Sequence, residues 1–187
     1  MGDLKFIVMT TSFGGRDISS LRNAVPGLIE CVDHNHDAMG NFLNSMIYTT
    51  CPCVHLEDDI ELCDGFLEKI THAVSIYPNN VINFFSLRSK DYILRRPYFE
   101  LGSRYMMNQC FYLPEGYGPM IAEFYASWGR KSEHPTGYDI LMADFLKSRR
   151  EKYVQWFPHL VNHIECRSLI NPKRSSKRTD KNFNPGI

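Results

Sequence analysis

The sequence predicts a single α/β domain with a mostly parallel central sheet and helices on both faces. Short apolar runs alternate with stretches of helical periodicity through the first half of the chain, a pattern typical of parallel sheets. The 187 residues fit one domain, and 43% of them are hydrophobic, which is enough for a packed interior. No repeat or proline-rich linker divides the chain. We therefore expect one domain over residues 1–170 and a basic tail or lid over 171–187.

Four apolar runs in the first half are predicted strands, at residues 5–9, 28–32, 53–56 and 81–85. Between them, apolar side chains recur at helical spacing in 38–48 and in 64–76, with Asp64 as the predicted N-cap of the second helix. The second half is less regular. It suggests strands at 110–113 and 153–157 and helices at 119–128 and 138–148.

Charge, hydropathy and cysteine spacing exclude several classes of protein. The formal net charge is zero, so the whole molecule does not bind polyanions through bulk charge. No stretch approaches the roughly 18 apolar residues of a membrane span, and no export signal opens the sequence, which predicts a cytoplasmic protein. The six cysteines contain no C-x-x-C pair. This spacing argues against a zinc ribbon, although a thiolate site at Cys51, Cys53 and Cys63 is an alternative to ordinary buried thiols.

Three consecutive carboxylates, Glu57-Asp58-Asp59, follow the third predicted strand. Ligands of open α/β sheets bind at the carboxyl ends of strands. Adjacent carboxylates repel one another unless a cation neutralises them, and carboxylate and phosphate oxygens are the ligands that Mg²⁺ and Mn²⁺ prefer. A solvated acidic loop that continues to Glu61 and Asp64 is the alternative interpretation.

The segment 54–67, VHLEDDIELCDGFL, resembles the acidic signature of GT-A glycosyltransferases, which precedes a Gly-Phe helix start. It is similar to lipopolysaccharide-type and phage-encoded enzymes, with EDD in place of a strict DxD motif. The resemblance implies a GT-A (Rossmann-like) domain that binds Mn²⁺ or Mg²⁺ and a nucleoside diphosphate sugar, with a UDP-sugar as the first expectation. For a phage-encoded enzyme, the location would be the host cytoplasm.

The same resemblance assigns the metal ligands. Asp59 would be the direct ligand, with Glu57 beside it. The segment 157–164 resembles the late "P-x-L-V-x-H-I" segment of related transferases, in which a histidine is a further ligand. His163 takes that place, and His159 is the weaker choice.

Nucleotide contacts are also implied by the resemblance. In these enzymes the loop after the first strand holds base and ribose, which places Thr10, Thr11 and Arg16 there, with Arg16 able to pair with a phosphate. Asp33, at the end of the second strand, would contact uracil or ribose, and Asp58 would contact sugar or ribose.

The predicted reaction moves a sugar to an acceptor hydroxyl. An inverting enzyme needs a carboxylate base for the acceptor proton, and Asp139, at the start of a predicted helix, is the first candidate. Asp144 is the alternative. A retaining enzyme would need no such base, and as structure alone Asp139 is a favourable acidic residue in a first helical turn.

Basic residues dominate the C-terminal tail, where residues 167–187 hold six lysines and arginines against one aspartate. Lys173, Arg174 and Lys177 could close over a diphosphate as a lid. The tail could instead follow a phosphate backbone, which would suit a hydroxymethylated DNA base as acceptor.

Two other functions remain open from the sequence. A nucleotidyltransferase also uses a metal, carboxylates and an α/β sheet, and Gly14-Gly15-Arg16 is a short version of its phosphate loop. A non-enzymatic nucleic-acid-binding module with a basic tail is the third hypothesis, and it gives the carboxylates no role.

Overall fold

The structure is a computed structural model that describes residues 4–165 and 179–186. Nine strands lie within these residues: β1 (Lys5–Thr11), β2 (Ile29–Asp33), β3 (Cys53–Glu57), β4 (Ile60–Leu62), β5 (Ile82–Asn83), β6 (Tyr98–Leu101), β7 (Cys110–Leu113), β8 (Lys152–Gln155) and β9 (Val161–His163). The helices are α1 (Ser19–Ala24), α2 (Ala38–Ser45), α3 (Phe66–Ile76), α4 (Ser89–Leu94), α5 (Tyr117–Ser127) and α6 (Tyr138–Ser148). Two short 3₁₀ segments, Met46–Thr50 and Gly102–Arg104, complete the secondary structure of this part of the chain.

Seven strands form the central sheet, in the order β2-β1-β3-β7-β5-β8-β6. β1 pairs in parallel with β2 and β3, and β5 pairs in parallel with β8. β7 and β6 run antiparallel to their neighbours. The sheet is therefore mostly parallel, as predicted. The reversal of β7 and β6 was not indicated by the sequence pattern.

Helices cover both faces of the sheet, which confirms the predicted α/β architecture. Side chains alternate between the faces along each strand. Val54 and Leu56 on β3 pack with Ile70 and Val74 of α3 on one face. The other face packs against α2, α5 and α6, through Phe42, Phe111, Ile121, Leu141 and Phe145. Among the described residues, no helix is long and apolar enough to cross a membrane.

The predicted cap of α3 was wrong. The helix begins at Phe66, and the residue before it, Gly65, adopts a left-handed conformation with φ 65° and makes no side-chain cap. Glycine occupies this backbone region without steric cost, so it makes the turn into α3 without a capping side chain. Asp64 lies outside the helix, where its backbone N–H donates to the Pro185 carbonyl at 2.6 Å.

The strand β9 was not predicted, and it forms a separate two-stranded sheet with β4. Ile60 lies opposite His163, and Leu62 lies opposite Val161. Both strands have only three residues, which is too short for a periodic signal. Their pairing carries a late part of the chain back to the acidic run.

A fully buried histidine, His55 on β3, should make the fold sensitive to acid. Its ring stacks on Phe111 with centroids 4.8 Å apart, and burial lowers its pKa to about 3. As pH falls below 6.5, the unfolded chain binds a proton that the folded chain excludes. The free energy of unfolding should therefore fall by about 1.4 kcal/mol per pH unit from this group, between pH 6.5 and about 4.

Urea unfolding of wild type and His55→Phe from pH 7.5 to 4 would measure this effect. The variant keeps an aromatic ring against Phe111 but cannot take up the proton. We expect the stability difference between the two proteins to shift in favour of the variant as pH falls. Parallel stability curves across this range would contradict the assignment.

Candidate active site

A cleft of about 580 Å³ lies at the carboxyl ends of β1, β2 and β3. β7 begins at this end of the sheet because it runs antiparallel to β3. Across this end of the sheet, the order is Asp33 at the end of β2, Thr10 on β1, the acidic run at the end of β3, and Asn108-Gln109 before β7. All of these residues line the cleft. This cleft therefore lies at the predicted location of the site, the carboxyl ends of the parallel strands.

Asp58 and Asp59 share one cation, the guanidinium of Arg16. Arg16 Nε lies 3.6 Å from Asp58 Oδ1, and Arg16 Nη2 lies 3.5 Å from Asp59 Oδ2. The Thr10 hydroxyl donates to Asp58 Oδ2 at 2.8 Å. The loop after β1 reaches the acids because Gly14 and Gly15 both adopt positive φ, at 83° and 66°. The predicted residues Thr10, Arg16, Asp58 and Asp59 are thus brought together.

The surroundings of Asp58 favour additional positive charge. Burial raises the pKa of its carboxyl and is the largest influence. The Thr10 hydrogen bond and Arg16 oppose that rise, whereas the negative charge of Asp59 adds to it. A raised carboxyl pKa means that ionising this group is costly here. Arg16 and the Thr10 hydrogen bond therefore do not offset the combined effect of burial and of the Asp59 charge on the pKa of Asp58.

His163 lies against Asp59, with 3.2 Å between His163 Nε2 and Asp59 Oδ2. Its side chain is fully buried at the end of β9. The next backbone N–H, that of Ile164, donates to the Asp59 carbonyl at 2.8 Å. The β4–β9 pairing and this hydrogen bond fix the imidazole beside the carboxylate, although the two residues are far apart in sequence.

Asp59 and His163 fit two positions of an octahedral metal site. Two ligand atoms at about 2.1 Å from a cation, on adjacent octahedral positions, are about 3.0 Å apart. The observed 3.2 Å is close to this separation. Among the described residues, no cluster of three or more His, Cys, Asp or Glu side chains has the arrangement of a complete metal site. Phosphate oxygens and water would have to complete the coordination, as is common for Mg²⁺ in nucleotide enzymes.

Glu57, the third predicted metal ligand, contacts other side chains than those that contact Asp59. Gln109 Nε2 donates to Glu57 Oε2 at 3.1 Å, and the Tyr138 hydroxyl donates to Glu57 Oε1. Burial raises the pKa of Tyr138 well above its usual range, so this hydroxyl remains a donor. These contacts connect Glu57 to α6 and to the residue that precedes β7.

The residues that the sequence predicted to contact a nucleotide lie on the β1–β2 side of the cleft. Asp33 is buried, and its Oδ1 accepts the Asn35 backbone N–H at 2.8 Å. The Thr11 hydroxyl donates to the Phe13 carbonyl at 2.6 Å and so shapes the loop itself. Phe13 also stacks on His36, with ring centroids 3.4 Å apart. Sequence reasoning missed this aromatic pair because its members come from two separate loops.

The structure separates the two candidate bases. Asp139 lines the cleft at the start of α6, and its Oδ1 accepts its neighbour's backbone N–H, that of Ile140, at 2.9 Å. Asp144 is not among the cleft-lining residues. Its Oδ2 lies 3.0 Å from both Trp128 Nε1 and Arg130 Nη1. Asp139 therefore remains the candidate base. The contacts of Asp144 with Trp128 and Arg130 give it a structural role outside the cleft.

Three buried amide side chains line the cleft and were missed from the sequence: Asn41, Asn108 and Gln109. Asn41 lies on α2 and donates to the backbone carbonyls of Thr10 and Cys31, both at 3.1 Å. An amide carries no charge pattern that separates it from a surface residue, so no sequence signal indicated these positions. The predicted lid residues Lys173, Arg174 and Lys177 lie outside the described residues.

The fold and the cleft define a Rossmann-like α/β domain whose candidate site lies at the carboxyl ends of its parallel strands. No protein-family model and no curated protein sequence matches the chain. Among solved structures, the chain is similar to the crystal structure of A197 from STIV, with 12% identity and a TM-score of 0.48. The match covers 86% of this chain and 85% of A197.

Proposed function

We propose that the protein is a metal-dependent glycosyltransferase of the GT-A type, which moves a sugar from a nucleoside diphosphate sugar to an acceptor hydroxyl. A UDP-sugar is the first donor to test. The observation that carries the proposal is the position of Asp59, which lines the cleft and contacts both Arg16, at 3.5 Å, and the buried His163, at 3.2 Å. One carboxylate there faces an imidazole and a guanidinium, groups that suit a metal and a phosphate respectively.

Asp59 and His163 would hold the cation. A carboxylate with an imidazole suits Mn²⁺ better than a set of oxygen ligands alone would. When bound, the cation would neutralise the charge that develops on the departing diphosphate. The raised pKa of Asp58 supports the proposal, because a further positive charge would stabilise its ionised form.

The chain's own residues would bind and orient the donor. Arg16 already reaches the centre of the cleft and can pair with a phosphate of the nucleotide. Thr10, Thr11 and Asp33 line the cleft on the β1–β2 side, where base and ribose would lie. If the enzyme inverts the sugar, Asp139 would take the acceptor proton from the opposite wall.

A nucleotidyltransferase is the second candidate, favoured by one observation. Gly14 and Gly15 both adopt positive φ in the loop that follows β1, and Arg16, the next residue, lines the cleft. Glycines after a first strand are typical of phosphate-binding loops.

Product analysis separates the two reactions. The protein is incubated with Mn²⁺ and either UDP-glucose or UTP with glucose 1-phosphate, and UDP and pyrophosphate are quantified. A glycosyltransferase releases UDP from UDP-glucose, slowly to water and faster with an acceptor. DNA containing hydroxymethylcytosine is the first acceptor to add. Pyrophosphate release from UTP without UDP release from any UDP-sugar would contradict the proposal.

A further inference from the structure

The turn that precedes β7 is strained and points at the cleft. Met107 has φ 69°, a left-handed conformation that is uncommon for a residue with a side chain. The fully buried Asn83 holds the turn, since its Nδ2 donates to the carbonyls of Met106 and Met107, at 2.8 and 3.2 Å. Strained backbone persists where the surroundings fix it, and such positions cluster at functional sites.

The next residue, Asn108, has a buried amide without a hydrogen-bond partner in the part of the chain that the structure describes. It is 2% exposed, yet neither Oδ1 nor Nδ2 makes a hydrogen bond there. Gln109 Oε1 is also buried and makes no hydrogen bond within the described residues, whereas Gln109 Nε2 donates to Glu57. Both side chains line the cleft. Leaving a buried polar group without a partner costs free energy, so these atoms are suited to a ligand that enters the cleft.

Strand order places this turn opposite the nucleotide side. Asp33 and Thr10 lie at the ends of β2 and β1, and Asn108 lies before β7, with the acidic run after β3 between them. A diphosphate at the acidic run would therefore have its nucleoside on one side and the group to be transferred beside Asn108.

The chemistry of this side favours a neutral ligand rich in hydroxyl groups. Amides donate and accept, and the carboxylates of Glu57 and Asp139 accept, so together they match hydroxyls. Arg16 is the only lysine or arginine among the described cleft-lining residues, and it faces Asp58 and Asp59. A carboxylated sugar would place its charge beside the carboxylates of Glu57 and Asp139, and among the described cleft-lining residues the one lysine or arginine, Arg16, is already paired with Asp58 and Asp59.

We propose that Asn108, presented by the turn at Met107, is a specificity-determining residue that binds the hydroxyls of a neutral sugar and disfavours a uronic acid. The inference rests on the proposed function, because it assumes a nucleoside diphosphate sugar in the cleft. Asn83 is a positioning residue in this scheme, and it acts through the backbone of Met106 and Met107.

Calorimetric titration with Mn²⁺ present tests the inference without relying on turnover. The ligands are UDP, UDP-glucose and UDP-glucuronate. We expect wild type to bind UDP-glucose about tenfold more tightly than UDP-glucuronate. Asn108→Leu should weaken UDP-glucose binding by about 3- to 10-fold while UDP binding changes less than about twofold, because only the sugar contact is lost.

Asn79→Leu is the matched control, since it makes the same change at an exposed asparagine outside the cleft. Its UDP-glucose affinity should stay within about twofold of wild type. Asn83→Leu should reproduce the loss of sugar affinity with UDP binding retained. Equal weakening of UDP and UDP-glucose by Asn108→Leu, or no change in either, would overturn the specificity role alone. Failure of wild type to bind UDP or either UDP-sugar would overturn this inference together with the proposed function.

Discussion

Replacing Asp59 by asparagine is expected to lower Mn²⁺-dependent UDP release from a UDP-sugar by about 100-fold or more. Asp59 contacts both His163 and Arg16, so the substitution removes the charge on which the proposed site depends. The shape of the side chain is nearly unchanged, which separates loss of charge from loss of packing. Initial rates of UDP release at saturating Mn²⁺ would measure the effect.

Asp64→Asn is the matched control, since Asp64 is an exposed carboxylate close to the acidic run and outside the cleft. Its rate should remain within about twofold of wild type, as expected for a surface substitution. Equal rates for Asp59→Asn and wild type would refute the role of Asp59. The non-enzymatic hypothesis predicts that result.

Replacing His159 by leucine is expected to lower the free energy of unfolding by about 3–5 kcal/mol. The buried imidazole lies between two buried carboxylates, with Nε2 3.1 Å from Asp91 Oδ2 and Nδ1 3.0 Å from Asp180 Oδ2. Leucine would leave both carboxylates buried without this partner. Among the described residues, the side chain of Asp91 would keep the hydroxyls of Ser86 and Tyr98, which do not offset its charge. Urea unfolding at pH 7 would measure the loss.

Two further variants make this prediction specific. His34→Leu changes an exposed histidine and should alter stability by no more than about 0.5 kcal/mol. Asp180→Asn removes one carboxylate and keeps the imidazole paired with Asp91, so it should remain folded even if His159→Leu does not. A His159→Leu protein as stable as His34→Leu would show that the buried network contributes nothing.

The same network explains why residues 179–186 belong to the folded body. Besides its contact with His159, Asp180 donates its backbone N–H to Asn162 Oδ1 at 2.7 Å. Asn162 lies on β9 next to His163. Loss of the network should therefore disturb the strand that carries the proposed metal ligand. For this reason, the activity of His159→Leu is informative only beside its stability.

The first half of the fold could be predicted because its signals are local. Each of the first three strands is a short apolar run followed by a polar turn, and the acidic run directly follows β3. The rule that ligands bind at the carboxyl ends of strands then located the cleft. The second half depends on pairings between distant residues, such as β4 with β9, which no local pattern encodes.

The same limit explains which site residues were missed. The rule that ligands bind at the carboxyl ends of strands applies to parallel strands. Asn108 and Gln109 precede β7, an antiparallel strand that begins at the same end of the sheet. Burial, and not residue type, distinguishes these amides from surface residues. His163 was predicted as a metal ligand only because residues 157–164 resemble a late segment of related transferases. Its proximity to Asp59 arises from tertiary structure, which no local pattern encodes.

The central claim is that Asp59 and His163 bind a divalent cation together with a nucleoside diphosphate. Titration of Mn²⁺ into the protein, with free Mn²⁺ measured by electron paramagnetic resonance, tests it most directly. UDP should tighten Mn²⁺ binding by about tenfold or more, and Mn²⁺ should tighten UDP binding by the same factor, because such coupling is reciprocal. His163→Leu and Asp59→Asn should abolish the coupling. Mn²⁺ binding that is absent, insensitive to UDP, or unchanged in both variants would contradict the claim.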